Sequence, residues 1–383
     1  MSENAIKFNE PYITGKELEY INDVFERRHF HGNGFYTKKC QNVIQSKISS
    51  KQILLTDSCT SALEMAALLI KDWDSEQEVI MPSYTFTSTA AAFVRSGFKV
   101  IFVEVDPLTM MVDYEDARSK INKKTAAVVI VHYGGFGAKA NLFRKLCDEN
   151  SIYLIEDSAQ AFGCIEGDKH LGTIGDFGCF SFHETKNLHA GLSGALSINN
   201  SNFIDRAVHV WERGTNRQQV LKGIKDKYSW VEVGGSFYPT ELQAAFLLAQ
   251  LESFEDNILK RKEIFYGYFD TFETNRARNF YYPKMTVGFT SNFHAFWVMF
   301  ATSEECNHIR TKLLEKGIYA YIGYVPLHSS KVGYGMGYKE NDLPITQKYS
   351  NQILRLPFHN LLQPEEPKMI ANSIFSLLSD FRS

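Results

Sequence analysis

Several things are missing from this 383-residue chain, and each absence removes a class of protein. No apolar run approaches the roughly 18 residues that a membrane-spanning helix needs. The amino terminus, Met1-Ser2-Glu3-Asn4-Ala5-Ile6-Lys7, lacks the apolar core of a secretory signal. The six cysteines (Cys40, Cys59, Cys147, Cys164, Cys179 and Cys306) contain no CxxC pair. Zinc ribbons and disulfide frameworks require paired spacing, so reduced thiols in a cytoplasmic protein are expected. Neither sign of charge is in excess: 41 Lys and Arg against 44 Asp and Glu leave −3. Such a balance gives no electrostatic reason to expect nucleic acid or a membrane surface as partner. No GxxxxGK[ST] occurs, which removes a P-loop nucleotidase. His183-Glu184-Thr185-Lys186-Asn187 begins like the zinc-protease HExxH but ends in Asn187, so zinc would lack its second histidine and no metal site is expected.

What is present describes a soluble α/β protein. Apolar residues make up 44% and charged residues 22%, enough to build a sizeable core. Val79-Ile80-Met81, Val100-Ile101-Phe102-Val103, Ala126 to Val131 and Ile152-Tyr153-Leu154-Ile155 are short, apolar and rich in β-branched residues. Continuous apolar runs predict strands covered on both faces, as in a mainly parallel sheet. Between them, Leu63, Ala66, Ala67 and Ile70 fall at helical spacing, with Ser61 and Glu64 placed as a capping box. A further helix is predicted to start at Pro239, with Leu242, Ala245, Phe246 and Ala249 on one face. It is expected to lead out of a large domain (residues 1–255) into a smaller C-terminal α/β domain (256–383).

Two readings of the chemistry compete. Gly135-Phe136-Gly137-Ala138-Lys139-Ala140 follows a strand and matches G-x-G-x-x-A, with Asp157 lying 20 residues past Gly137. That spacing suits a dinucleotide fingerprint and an NAD-dependent oxidoreductase. The second reading joins four features. Asp157 closes an apolar strand at the sheet edge where open α/β sheets bind ligands, and a carboxylate there can hold a pyridine nitrogen protonated. A protonated ring is what makes pyridoxal phosphate (PLP) an electron sink. Lys186 comes 29 residues later, just after the strand-like Gly178 to His183. A lone lysine is ordinarily a solvated charge; beside that sheet edge its amine can form a Schiff base and shuttle a proton. Thr56-Asp57-Ser58-Cys59-Thr60-Ser61 runs into a helix whose free N–H groups suit a phosphate. Tyr84-Thr85-Phe86 follows a strand and offers an aromatic face to a cofactor ring.

In this order, these pieces resemble the DegT/StrS-type sugar aminotransferases, a branch of fold-type I PLP enzymes. The resemblance runs from Phe8-Asn9 to Tyr324-Val325-Pro326-Leu327-His328. Leu54 to Leu68, Glu78 to Thr89, Gly178 to Asn187, Gly214 to Arg217 and Asp226 to Trp230 look closest to WecE-type members, the dTDP-4-amino-4,6-dideoxygalactose transaminases. The resemblance implies Lys186 as the Schiff-base lysine and Asp157 as the pyridinium partner. It implies Gln160 at the ring hydroxyl and Phe86 on the ring face. Cys59, Thr60 and Ser181 would hold the phosphate, with His183 close by, and Ser236 would complete the site of the other subunit in a homodimer. Tyr324 and His328 are expected at the substrate.

The implied reaction moves an amine from L-glutamate to C4 of a dTDP-4-keto-6-deoxyhexose and gives the galacto amine. The gluco epimer, dTDP-viosamine, and amination at C3 are alternatives. The setting would be O-antigen or other surface-polysaccharide synthesis. Leu192-Ser193-Gly194 departs from the family's usual Glu-Gly-Gly and bears on loop shape and substrate preference. The segment Glu212 to Tyr228 carries Arg213, Arg217, Lys222, Lys225 and Lys227 against Glu212 and Asp226. With Arg217 it forms either a clamp for a nucleotide sugar's pyrophosphate or a solvated loop.

Overall fold

In a computed structural model, which describes residues 5–275 and 280–382, a seven-stranded sheet forms the centre of the molecule. Its strands are β1 (Gln52–Thr56), β2 (Glu78–Pro82), β3 (Lys99–Val103), β4 (Thr125–Val131), β5 (Tyr153–Asp157), β8 (Phe177–Ser181) and β9 (Gly194–Ile198). Their spatial order is β1-β9-β8-β5-β4-β2-β3, and β9 alone runs antiparallel to its neighbours. Alternate residues enter opposite apolar clusters: Val79 and Met81 pack on one face and Ile80 on the other, as do Val129 against Val128 and Ile130. This two-sided burial is why the strands read as unbroken apolar runs. The short β6 (Ile165–Glu166) and β7 (Lys169–His170) join β10 (Phe289–Thr290) in a second sheet. β11 (Trp297–Met299), β12 (Tyr321–Ile322) and β13 (Ile353–Arg355) form a third, antiparallel one with β13 at its centre. One apolar cluster extends from Ile80 to Leu378, so the C-terminal elements are packed directly on the face of the central sheet.

Two helix starts differ from the sequence expectation. The first helix after β1 spans Cys59–Ile70, capped by Ser58, whose hydroxyl accepts from the Ser61 N–H at 3.1 Å. The Ser61–Glu64 box does not form, because Glu64 instead pairs with Arg95 of the helix Thr87–Arg95. The helix Glu241–Glu252 begins after Thr240, which makes a reciprocal capping box with Gln243, and Pro239 lies just outside it. In both cases a side chain that can accept from the third N–H onward sets the start.

Candidate active site

The parallel strands deliver their carboxyl ends to one edge. In register, Thr56 and Ser181 both face Gly194, Val131 faces Asp157, and Asp157 faces Cys179. This alignment gathers segments distant in sequence around a cavity of ≈ 370 Å³, lined among others by Cys59, Thr60, Phe86, Asp157, Gln160, Ser181, His183, Lys186 and Tyr324.

Asp157 is buried at the cavity floor. Its Oδ2 accepts from the Thr89 hydroxyl at 2.6 Å and its Oδ1 from the Ala159 N–H at 3.1 Å. No cation reaches it within ion-pair distance among the described residues, and burial raises its pKa against the pull of those two donors. A buried carboxylate in this condition gains from a cationic ring nitrogen. The half-buried Lys186 follows a turn in which its N–H donates to the His183 carbonyl at 2.8 Å. Burial lowers the pKa of its amine, with Cys59 and Asp157 opposing and Arg355 assisting, which favours the neutral nucleophile.

The phosphate end is the amino terminus of the helix Cys59–Ile70. Gly194 lets β9 approach it: a Cβ there would lie 2.4 Å from the Cys59 nitrogen. The close approach leaves Ser181 beside the first turn, where backbone N–H groups and the helix dipole favour an anion. Burial drives the Cys59 thiol well above its usual pKa, so this sulfur stays a neutral SH. Gln160 is fixed at both ends: its Oε1 accepts from the Gly134 N–H and its Nε2 donates to the Tyr324 hydroxyl, each at 2.7 Å. Phe86 sits at the N-cap of its helix with 57% of its surface exposed, an open aromatic face on the cavity. His183 takes the Thr185 N–H and hydroxyl on Nδ1, which leaves its Nε2 as the proton-bearing nitrogen. These residues fit the PLP that the sequence resemblance implies: a phosphate cradle, an aromatic face, a buried carboxylate and an amine surround one space.

Three expected residues lie elsewhere. His328 is fully buried outside the cavity; its Nδ1 bonds Ser83 at 2.7 Å and its Nε2 bonds the Glu340 carbonyl at 3.1 Å. As a correction, it does not reach the cavity as a substrate ligand and instead tethers the turn that carries Tyr84 to Phe86. Arg217 also lies away from this chain's cavity and donates to the buried Glu212 at 3.2 Å. Ser236 is exposed, bridged to Glu212 and outside the cavity.

The rival dinucleotide motif is occupied by the protein itself. The Glu166 carboxylate accepts from the Ala140 and Asn141 N–H groups, filling the start of the helix Ala140–Asn150 where a pyrophosphate would sit. A Cβ on Gly135 would lie 2.3 Å from Asn292 Oδ1, and one on Gly137 would lie 2.6 Å from Glu166 Oε2. These glycines therefore serve packing, and the NAD reading is set aside.

Sequence reasoning missed Thr89, His294 and Arg355. Thr89 is the third residue of the helix Thr87–Arg95, where a threonine reads as a helix surface residue. His294 donates from Nδ1 to Asn187 Oδ1 at 2.8 Å, an orientation set by the Asn187 amide donating to the Asn292 carbonyl. Burial, reinforced by Lys186, Arg261 and Arg355, holds its pKa well below the ordinary value.

A sequence model of the DegT/DnrJ/EryC1/StrS aminotransferase family matches residues 11–375. The chain is 30% identical over 375 residues to the GDP-perosamine synthase of Vibrio cholerae, covering 95% of this chain and 97% of that one. It is 27% identical over 375 residues to the dTDP-4-dehydro-2,3,6-trideoxy-D-glucose 4-aminotransferase of Saccharopolyspora spinosa, covering 96% and 95%. The structure of the aminotransferase TlmJ from Streptoalloteichus hindustanus superposes with a TM-score of 0.90 at 24% identity, over 99% of this chain and 100% of that one. Helicobacter pylori PseC, an aminotransferase involved in the biosynthesis of pseudoaminic acid, gives 0.89 at 22% identity over 99% and 100%. The last two likenesses concern the fold.

Proposed function

The chain belongs to the DegT/DnrJ/EryC1/StrS aminotransferase family and is a PLP-dependent sugar aminotransferase acting on a nucleotide sugar, and we propose that it aminates a dTDP-4-keto-6-deoxyhexose at C4 with L-glutamate as donor. The proposed product is dTDP-4-amino-4,6-dideoxygalactose, made in the cytoplasm for O-antigen or another surface polysaccharide. The observation that carries the reaction type is the shared cavity wall of Lys186 and Asp157 above the Ser58–Thr60 turn.

When bound, PLP supplies the electron sink. The protein's own groups do the rest. Asp157 would hold the ring nitrogen protonated, and the Ser58 to Thr60 N–H groups with Ser181 would hold the phosphate. Phe86 would cover one ring face, and Gln160, locked by Gly134 and Tyr324, would orient the ring edge. Lys186, whose amine burial makes less basic, would take a proton from the substrate carbon and return it.

Regiochemistry and face are set by the cavity wall rather than by these cofactor groups. Leu192, where the family usually carries Glu, lines the cavity with 50% of its surface exposed. An apolar residue there suits the 6-deoxy face of a sugar, and this supports a deoxyhexose substrate. Ser236 and the basic loop around Arg217 do not line this chain's own cavity, which suits service to the cavity of a second copy in a homodimer.

Incubation with dTDP-4-keto-6-deoxyglucose and glutamate is expected to give a product with a small H3–H4 proton coupling, as an axial amine requires. A large coupling moves the assignment to viosamine. Amination at C3, or turnover of the GDP-linked ketose alone, removes the proposed substrate and leaves the aminotransferase intact.

A further inference from the structure

With NAD set aside, the glycine turn after β4 has no ligand of its own, yet its backbone reaches the cofactor cavity. The turn leads from β4 to the helix Ala140–Asn150, and Gly134 and Gly135 are both left-handed, with φ of 67° and 83°. Two consecutive left-handed glycines make a pliant link that must be held from outside. Its position matters at one atom. The Gly134 N–H donates to Gln160 Oε1 at 2.7 Å, which decides that the amide nitrogen of Gln160 faces Tyr324.

His132 closes this turn. It is fully buried just past the end of β4, and its Nδ1 accepts from the Ala138 N–H at 3.1 Å. That bond places the ring's single proton on Nε2, which donates to Glu156 Oε2 at 2.9 Å. The backbone N–H of His132 donates to the Asp157 carbonyl at 3.1 Å. Although His132 borders the cavity, both ring nitrogens are committed, so it offers nothing to a ligand. Glu156, the neighbour of Asp157 on β5, is equally buried. It also takes the N–H groups of Gly172 at 2.8 Å, Ile174 at 2.7 Å and Gly175 at 2.6 Å. A buried carboxylate with this many donors is a fixed anchor.

Bonds therefore run from residues 172–175 through Glu156 and His132 to Ala138, and from the closed turn through Gly134 to Gln160. Resting on the placement of Gln160 at the ring edge given above, we propose that His132 is a positioning residue for the cofactor. It clasps residues 133–138 so that Gly134 holds Gln160 in the orientation the ring edge requires. The Glu156 bond aims the imidazole, and the Ala138 bond does the clasping.

The two bonds are separable by substitution in the full-length, PLP-loaded protein. In His132→Asn the amide oxygen stands near the place of Nδ1, so it keeps the Ala138 bond and loses Glu156. In His132→Gln the longer amide reaches Glu156 and loses Ala138. His132→Gln is expected to shift the visible band of bound PLP, which responds to hydrogen bonds at the ring. It should also speed amide hydrogen exchange across residues 133–138 and slow both half-reactions, each by about tenfold. His132→Asn should stay within about threefold of wild type in all three measurements. A general loss of structure would act independently of Gln160, whereas a clasp acts through it. Adding His132→Gln to Gln160→Ala should therefore cost less than about twofold more.

Equal damage in the Asn and Gln variants overturns the clasp, and losses that multiply in the double variant overturn the route through Gln160. Wild-type behaviour of His132→Gln overturns the proposal outright. Should His132→Gln fail to fold, His132→Asn carries the test: an unshifted band and unchanged exchange support the clasp, and a change in either overturns it. A Gln160→Ala variant with wild-type band and rates would instead defeat the placement of Gln160 on which the proposal rests.

Discussion

Lys186→Ala is expected to abolish transamination, with a loss of at least about 10⁴-fold, and to remove the visible band of lysine-linked PLP. The size follows from the residue's two duties. Its amine is the only lysine on the cavity wall among the described residues, so no neighbour can replace it in holding the cofactor. It is also the group placed to move a proton at the substrate carbon, and burial lowers the pKa of its amine. Borohydride reduction followed by mass spectrometry checks the first duty, since wild-type protein should gain one covalently attached cofactor and the variant none. Single-turnover spectroscopy with glutamate checks the second. A variant that still turns over, or that retains the cofactor on another lysine, would remove Lys186 from the mechanism.

The next largest effect is expected for Asp157→Asn, which should retain PLP but slow turnover on the order of 10²- to 10³-fold. Both oxygens of Asp157 accept hydrogen bonds, from Thr89 and from the Ala159 N–H. An asparagine oxygen can keep the Ala159 bond while the Thr89 hydroxyl rotates to accept from the new amide, so the floor of the cavity should persist. What disappears is the charge: a neutral amide cannot hold the ring nitrogen protonated in a buried site. Thr89→Val removes one of the donors that oppose burial at Asp157 and should slow turnover in the same direction by about tenfold. The two variants are compared by their half-reaction rates and by the cofactor content measured after gel filtration. Unchanged rates in Asp157→Asn would mean that ring protonation does not limit this enzyme.

The parts of the site that were legible share a short sequence range with the backbone feature that makes them. Asp157 ends a strand, Lys186 follows one, and Cys59 and Thr60 open a helix; each is announced by its own apolar run or small-residue turn. The helix boundary at Ser58 was misplaced because Ser58 and Ser61 are equally good caps by composition, and the pairing of Glu64 with Arg95 decides between them. The glycine match at Gly135 to Gly137 misleads for a related reason. A strand-to-helix turn needs glycine whether the space beside it holds a pyrophosphate or, as here, the carboxylate of Glu166.

By itself the sequence determined the alternation of strand and helix, the burial of the central strands on both faces, the family and the cofactor. These rest on local periodicity and on motifs whose residues act within a few positions of one another. Tertiary structure alone decided which polar side chains are satisfied. A histidine after Leu327 reads the same in sequence whether it meets a substrate or, as His328 does, Ser83 and the Glu340 carbonyl. An arginine at the end of a short strand reads the same whether or not a carboxylate waits across the sheet. Arg261 found its three acceptors and Arg355 found none among the described residues, because packing brings positions such as 8, 324 and 355 together from opposite ends of the chain. The balance between a buried charge and its partners is a property of that long-range assembly, so no local pattern encodes it.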